Sequence, residues 1–264
     1  MRNIKEITTK ELEAVKAITF DIDGVVIETG TQLRESADGT ELYMKSKQLS
    51  RQFLENLKEL KKYLKINFSS GRNLLYLKSL VNEIFDQSVF LQAENGNLSW
   101  FEGKITHPHY SAEYFEKLKL IRERIKGMMV QGDERIRGFE PKMFILTTHC
   151  EQMGEIPNLL QEIDPEGELY CLWTNEGYDI GSKTMSKGQG IEKLAQHLNI
   201  PPKEIMTTGN NYNDAQMLQV GTGVTVDPER VEADYFIEHQ PDQLGGELLT
   251  EFLLDYYRQR GVKA

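Results

Sequence analysis

The chain has 264 residues, a formal net charge of −10, 39% hydrophobic residues and 9% aromatic ones. That length suits one large domain or a core with a smaller module, and the composition is that of a folded chain. The acidic balance excludes nucleic acid and anionic membrane as main partners. With no apolar run long enough to span a bilayer, no signal-like amino terminus and only Cys150 and Cys171 as cysteines, a cytoplasmic protein is expected.

The first informative segment is AITFDIDGVV (17–26). Ala17–Phe20 reads as a buried strand of an α/β sheet. It ends in Asp21 and Asp23, which alternation places on one side, while Gly24 permits a tight turn. Carboxylates at the carboxyl end of such a strand sit where open α/β sheets bind ligands. The pair can hold a divalent cation and still offer one oxygen as nucleophile. Residues 29–48 carry Asp38-Gly39 between two weakly alternating stretches, the pattern of a hairpin. Between 48 and 65, Leu49, Phe53, Leu57, Leu60 and Leu64 line one stripe of a helix capped by Ser50. INFSSGR (66–72) and VFLQAENGN (89–97) each read as a strand running into a turn, the second through Asn95-Gly96.

A different order follows. Residues 110–128 have a helical pattern, 135–149 read as two strands joined at Glu140-Pro141, 153–164 as a helix, and 168–183 as two more strands. From Lys187 the β/α alternation resumes, with a helix over 188–198, strand 205–209, a helix from Asp214, and strands 223–226 and 235–238. The expected fold is therefore α/β: a Rossmann-like parallel-sheet core, residues 1–108 and 184–264, with an inserted small α+β cap of order αββαββ over 109–183.

Four strand ends present compatible polar groups: Asp21 with Asp23, Ser70 with Gly71, Lys187, and GNNYND (209–214). Singly, Ser-Gly is a turn and a lysine before a helix is a solvated surface group. In this order the four resemble the motifs of the haloacid-dehalogenase-like phosphohydrolases, and the insertion resembles the type-II α/β cap of their Cof-like and sugar-phosphatase branch. The resemblance implies a Mg²⁺-dependent phosphatase acting on a small phosphate ester, most simply a sugar phosphate. In it Asp21 is the nucleophile and Asp23 the general acid and base. Ser70, Gly71, Lys187 and Asn213 hold the phosphoryl group, and Asp21, Asp23, Asn210 and Asp214 hold the metal. Arg72 either contacts substrate or caps the next helix. One position departs from the pattern: relatives usually have GDxxND, and Asn210 replaces the first acid. The oxygen can still ligate but brings no charge, so weaker Mg²⁺ binding is expected.

Two further likenesses concern the cap and the hairpin. Glu140, Lys142 and His149 resemble the Glu-x-Lys strand of trehalose-phosphate phosphatase caps, which implies substrate recognition; the plainer reading is a solvated face. The hairpin around Asp38-Gly39 resembles the flap of octulosonate-phosphate phosphatases, implying either pairing in a homo-oligomer or a surface loop. Two alternatives to hydrolysis remain. One is a phosphomannomutase-like mutase using Arg135, Arg137 and Lys142 for a distal phosphate. The other is a sugar-phosphate binder disabled at Asn210.

Overall fold

The computed structural model describes residues 1–238, 240 and 242–259; the end of the expected core, 260–264, lies outside them. In chain order the elements are β1 (Arg2–Asn3), α1 (Thr9–Ala14), β2 (Ala17–Phe20), the hairpin strands β3 (Gln32–Glu35) and β4 (Leu42–Lys45), α2 (Arg51–Leu60), β5 (Lys65–Ser69), α3 (Leu74–Leu80), β6 (Val89–Ala93), β7 (Leu98–Phe101) and β8 (Lys104–Thr106). They continue with α4 (Ala112–Val130), β9 (Ile136–Phe139), β10 (Leu146–Cys150), α5 (Glu155–Ile163), β11 (Leu169–Trp173), β12 (Gly177–Ser182), α6 (Lys187–Leu198), β13 (Ile205–Gly209), α7 (Ala215–Val220), β14 (Thr222–Thr225), β15 (Tyr235–Phe236) and α8 (Gly245–Gln259). Contacts divide the chain into two compact units: 1–29, 48–107 and the residues from 186 onward form one, and Gly30–Lys47 with Pro108–Met185 form the other.

The first unit is built on a nine-stranded sheet of order β1-β15-β14-β13-β2-β5-β6-β7-β8. It is parallel from β1 to β6, and β7 and β8 extend it antiparallel. Strand β2 lies centrally, and Ala17, Ile18 and Phe20 are fully buried, as a strand covered on both faces requires. Phe20 stands edge-on to Phe53 of α2 at 5.6 Å, joining helix to sheet. Ser50 caps α2 through its hydroxyl, which accepts from Phe53 N at 3.1 Å. The helix ends at Leu60, four residues before its apolar stripe does, because Lys65 already pairs with Ala17 in the sheet. Strands β7 and β8 occupy a stretch left unassigned from sequence; Glu102 and Gly103, at φ 50° and 85°, turn one into the other. No helix of the described residues is long and apolar enough to cross a membrane.

The second unit carries a four-stranded antiparallel sheet of order β11-β12-β10-β9, with α4 and α5 packed through Ile121, Ile125, Ile156 and Ile180. Its element order is the expected αββαββ. The hairpin belongs to this unit: one Glu35 oxygen accepts from Phe139 N at 3.1 Å and the other from Lys126 Nζ at 3.3 Å.

Candidate active site

Parallel strands place their carboxyl ends together, and β2, β5 and β13 are neighbours, so the polar residues that follow them converge within the first unit. Asp21 leaves β2 with its N–H bonded to Thr208 O at 2.9 Å. Lys187 is the first residue of α6, whose cap is Ser186. Its ammonium is wholly buried and donates to Asp21 Oδ1 and Asp214 Oδ1, each at 2.6 Å. Burial pulls the Lys187 pKa down, yet the attraction of the two carboxylates outweighs it and the net shift is upward. Asp21 moves the other way. Burial first, then the charge of Asp214, push its carboxyl up to about 7 against the pull of Lys187.

The GNNYND loop folds around Asp214. Asp214 Oδ2 accepts from the N–H groups of Asn210 and Asn211 at 2.9 and 3.0 Å, so both oxygens of this buried carboxylate carry donors. Asn210 turns its amide toward β2 and reaches Asp23 O at 3.2 Å. Gly24 makes that approach feasible: at φ +81° it tolerates a backbone that side chains resist, and a Cβ there would lie 2.2 Å from Asn210 Nδ2. Asn213 Nδ2 lies 3.4 Å from Asn95 Oδ1. Ser70 is buried, and its hydroxyl accepts from Arg72 N at 3.2 Å across Gly71.

Two features of the site escape a reading from sequence. Arg72 neither caps α3, which Asn73 does, nor stands free. It grips Asp23 with two nitrogens, Nε at 3.0 Å and a terminal one at 2.7 Å, and is itself buried. Asn95-Gly96 is more than a strand-end turn. Glu94, Asn95 and Gly96 all have positive φ, at 53°, 56° and 90°, and are buried. This loop is tied back to the turn after β5 by Asn95 N to Ser70 O and Glu94 N to Arg72 O, at 3.0 and 2.9 Å. Non-glycine residues in that conformation are strained and persist only where their surroundings hold them. Three carboxylates, Asp21, Asp23 and Asp214, thus face two cations, Lys187 and Arg72.

The donor set suits a hard cation. Asp21, the Asp23 carbonyl and Asn210 supply oxygen, which Mg²⁺ prefers, once the Asn210 amide presents its oxygen in place of its nitrogen. No three His, Cys, Asp or Glu side chains gather as a metal group among the described residues.

In the second unit, Glu140, Lys142 and His149 come together and are buried, not solvated. Glu140 Oε1 lies 2.7 Å from His149 Nε2, and Oε2 lies 3.1 Å from Lys142 Nζ. Lys142 Nζ also donates to Thr147 Oγ1 at 2.5 Å and lies 3.6 Å from Asp179 Oδ1, which the Thr147 hydroxyl also reaches. The other two cations considered for a distal phosphate are occupied. Arg135 pairs with Asp133 and Glu155 at 2.7 and 2.9 Å, and Arg137 donates to the carbonyls of Cys150 and Glu176 at 3.0 and 2.7 Å.

The chain is similar to known proteins in sequence and in fold. A family model described as haloacid dehalogenase-like hydrolase matches residues 132–228. A phosphoglycolate phosphatase of Methanopyrus kandleri is 24% identical over 174 residues, 64% of this chain and 72% of that protein. Among solved structures, the carboxy-terminal domain of Candida albicans trehalose-6-phosphate phosphatase superposes with a TM-score of 0.64 at 16% identity, covering 92% of this chain and 93% of that one. A haloacid dehalogenase-like hydrolase from Bacillus subtilis gives a TM-score of 0.56 at 16% identity, over 80% and 89% of the two chains. The sheet order, the motifs gathered at its rim and these likenesses agree in one direction: the chain is similar to the haloacid dehalogenase-like hydrolases, phosphatases among them.

Proposed function

We propose that this protein is a haloacid dehalogenase-like phosphatase that hydrolyses a small sugar phosphate with Mg²⁺, through a phosphoryl group carried on Asp21. The observation that carries the reading is the buried Lys187 ammonium held 2.6 Å from both Asp21 and Asp214. Such a charge keeps Asp21 aimed and opposes the negative charge of an incoming phosphoryl group.

In the first step an Asp21 oxygen bonds to phosphorus as the bond from phosphorus to the alcohol oxygen breaks, and Asp23 gives that oxygen its proton. In the second, water attacks phosphorus, Asp23 takes the water's proton, and the bond to Asp21 breaks to free inorganic phosphate. Ser70 donates to a phosphoryl oxygen, Gly71 offers its N–H, and Asn213 positions its amide. Arg72 fixes the plane of the Asp23 carboxylate. Asp21, the Asp23 carbonyl, Asn210 and Asp214 would hold Mg²⁺, which when bound supplies positive charge against the phosphoryl oxygens. Since both Asp214 oxygens already accept hydrogen bonds, its main part is to hold Lys187 and the loop.

Residues of the first unit form the catalytic core and the second unit serves as its cap, with Glu140, Lys142 and His149 recognising hydroxyls or a second charge on the substrate. Hydrolysis is favoured over a mutase because Arg135 and Arg137 are already engaged. The test is phosphate release with Mg²⁺ across a panel of sugar phosphates that also includes phosphoglycolate and trehalose 6-phosphate. Turnover abolished by Asp21→Asn is expected. Activity that survives that substitution, or an isomerised product without free phosphate, refutes the reading.

A further inference from the structure

The hairpin presents an unusual edge. Strand β4 is exposed at every position, and Leu42, Tyr43 and Met44 are 44%, 54% and 36% accessible in succession. It pairs with β3 alone, so its other edge has no strand partner among the described residues. Which groups lie on that edge follows from the ladder. Glu41 O accepts from Ser36 N at 2.9 Å, so Glu41, Tyr43 and Lys45 direct their N–H and C=O groups toward β3. By alternation, Leu42 and Met44 direct theirs outward. An exposed and unpaired apolar edge of this kind can serve as a template for another strand.

We propose that β4 pairs antiparallel with β4 of a second copy of this chain, about a twofold axis passing between the two Tyr43 residues. The sequence fits itself in this register. Leu42 meets the partner's Met44, and their outward N–H and C=O groups form two reciprocal pairs of backbone hydrogen bonds. Tyr43 meets Tyr43 of the partner subunit. Glu41 falls opposite the partner's Lys45, and Lys45 opposite the partner's Glu41, so the one acid and the one base that flank the apolar triplet neutralise each other across the axis. A shift of the axis by one residue breaks this match, placing Glu41 opposite the partner's Met44 or Leu42 opposite the partner's Lys45. It is this self-complementarity of charge that selects a second copy over an unrelated strand.

Sedimentation velocity on the full chain over a dilution series tests the proposal. The wild type is expected to pass from monomer to dimer with concentration. Lys45→Glu sets acid against acid at both ends and raises the dissociation constant at least ~tenfold, and the swap Glu41→Lys with Lys45→Glu restores dimerisation. Met44→Pro removes an outward N–H without touching the bonds to β3, and it also dissociates the dimer. Tyr43→Cys links two chains under oxidation, because facing residues of a non-hydrogen-bonded pair stand ~4.5 Å apart at Cα, within disulfide reach. A wild type that stays monomeric throughout overturns the proposal. So does a dimer unmoved by Lys45→Glu, or one that the charge swap fails to restore.

Discussion

Asp21→Asn should make the metal-free protein more stable and inactive at once. The Asp21 carboxyl is buried and its pKa is pushed up to about 7, from an ordinary 3.8, by burial first and then by Asp214. A folded-state pKa above the unfolded one means the native state binds the proton more tightly. That contribution is complete below about pH 4 and is lost as pH rises through 7. A shift of about three units is worth ~4 kcal/mol at most. An amide of the same shape escapes this cost and leaves Lys187 paired with Asp214 alone, one positive charge against one negative. In EDTA at pH 8 the variant should therefore exceed the wild type by ~1 to ~4 kcal/mol, or at least ~2 °C in Tm for a chain of this size. The gap should close as pH falls to 5. Urea unfolding at the two pH values, with phosphate release measured alongside, is the assay. A variant less stable than wild type at pH 8, or a gap that ignores pH, would falsify this account of Asp21.

Asn210→Asp should lower the Mg²⁺ concentration for half-maximal rate at least ~tenfold; one charge at ~4 Å and an effective dielectric of 20 sets a ceiling of ~4 kcal/mol, and an unchanged value counts against Asn210 as a ligand. Gly24→Ala should cost ~1 to ~3 kcal/mol in urea unfolding, since φ +81° and the Asn210 amide 2.2 Å from the new Cβ both oppose it; wild-type stability would mean that contact is not fixed. Lys142→Met should cost ~3 to ~5 kcal/mol by leaving Glu140 buried without its cation, and pairing it with Glu140→Gln should recover much of the loss. Recovery failing in that double variant would show that the pair does not act as a unit.

What could be read from sequence was what is local. Asp21, Asp23, Ser70 and Asn210 lie one to three residues past buried strands, and a strand's alternation and end fix where such residues sit. Three of the four motifs stand far apart in the chain, but parallel pairing of β2, β5 and β13 brings their ends together without further information; Lys187 comes separately, as the first residue of α6. The contacts of Arg72 were not legible, because its partner Asp23 is 49 residues away and an arginine beside a helix start has many uses. Nor was the left-handed path of Glu94, which its residue type disfavours and which the bond from its N–H to Arg72 O accompanies; only Asn95, with Gly96, carried a turn signal for it. Strands β7 and β8 did carry a signal, a short alternation on each side of Glu102-Gly103, too brief to separate from loop. Helix α8 carried a clearer one in Leu249, Leu253, Leu254 and Tyr257, all buried. Chain order also hid the partnership of the hairpin with β9, which rests on Glu35 reaching a residue over a hundred positions later.

The Asn210 exchange and the Asp21 pKa have one physical origin. Asp21 is already hard to ionise, with Asp214 and Asp23 nearby and Lys187 bonded to its carboxylate. An acid at position 210 would add a fourth negative charge beside the Asp23 carbonyl, improving the hold on a divalent cation while making the empty site costlier to bury. Asn210 keeps an oxygen at that place without the charge. The opposing effects predict that Asn210→Asp lowers unfolding stability in EDTA and raises it in excess Mg²⁺, a crossover that a neutral substitution such as Asn210→Ser lacks. Because the crossover depends on charge and not on turnover, its presence or absence tests the electrostatics of the site whatever substrate the enzyme takes.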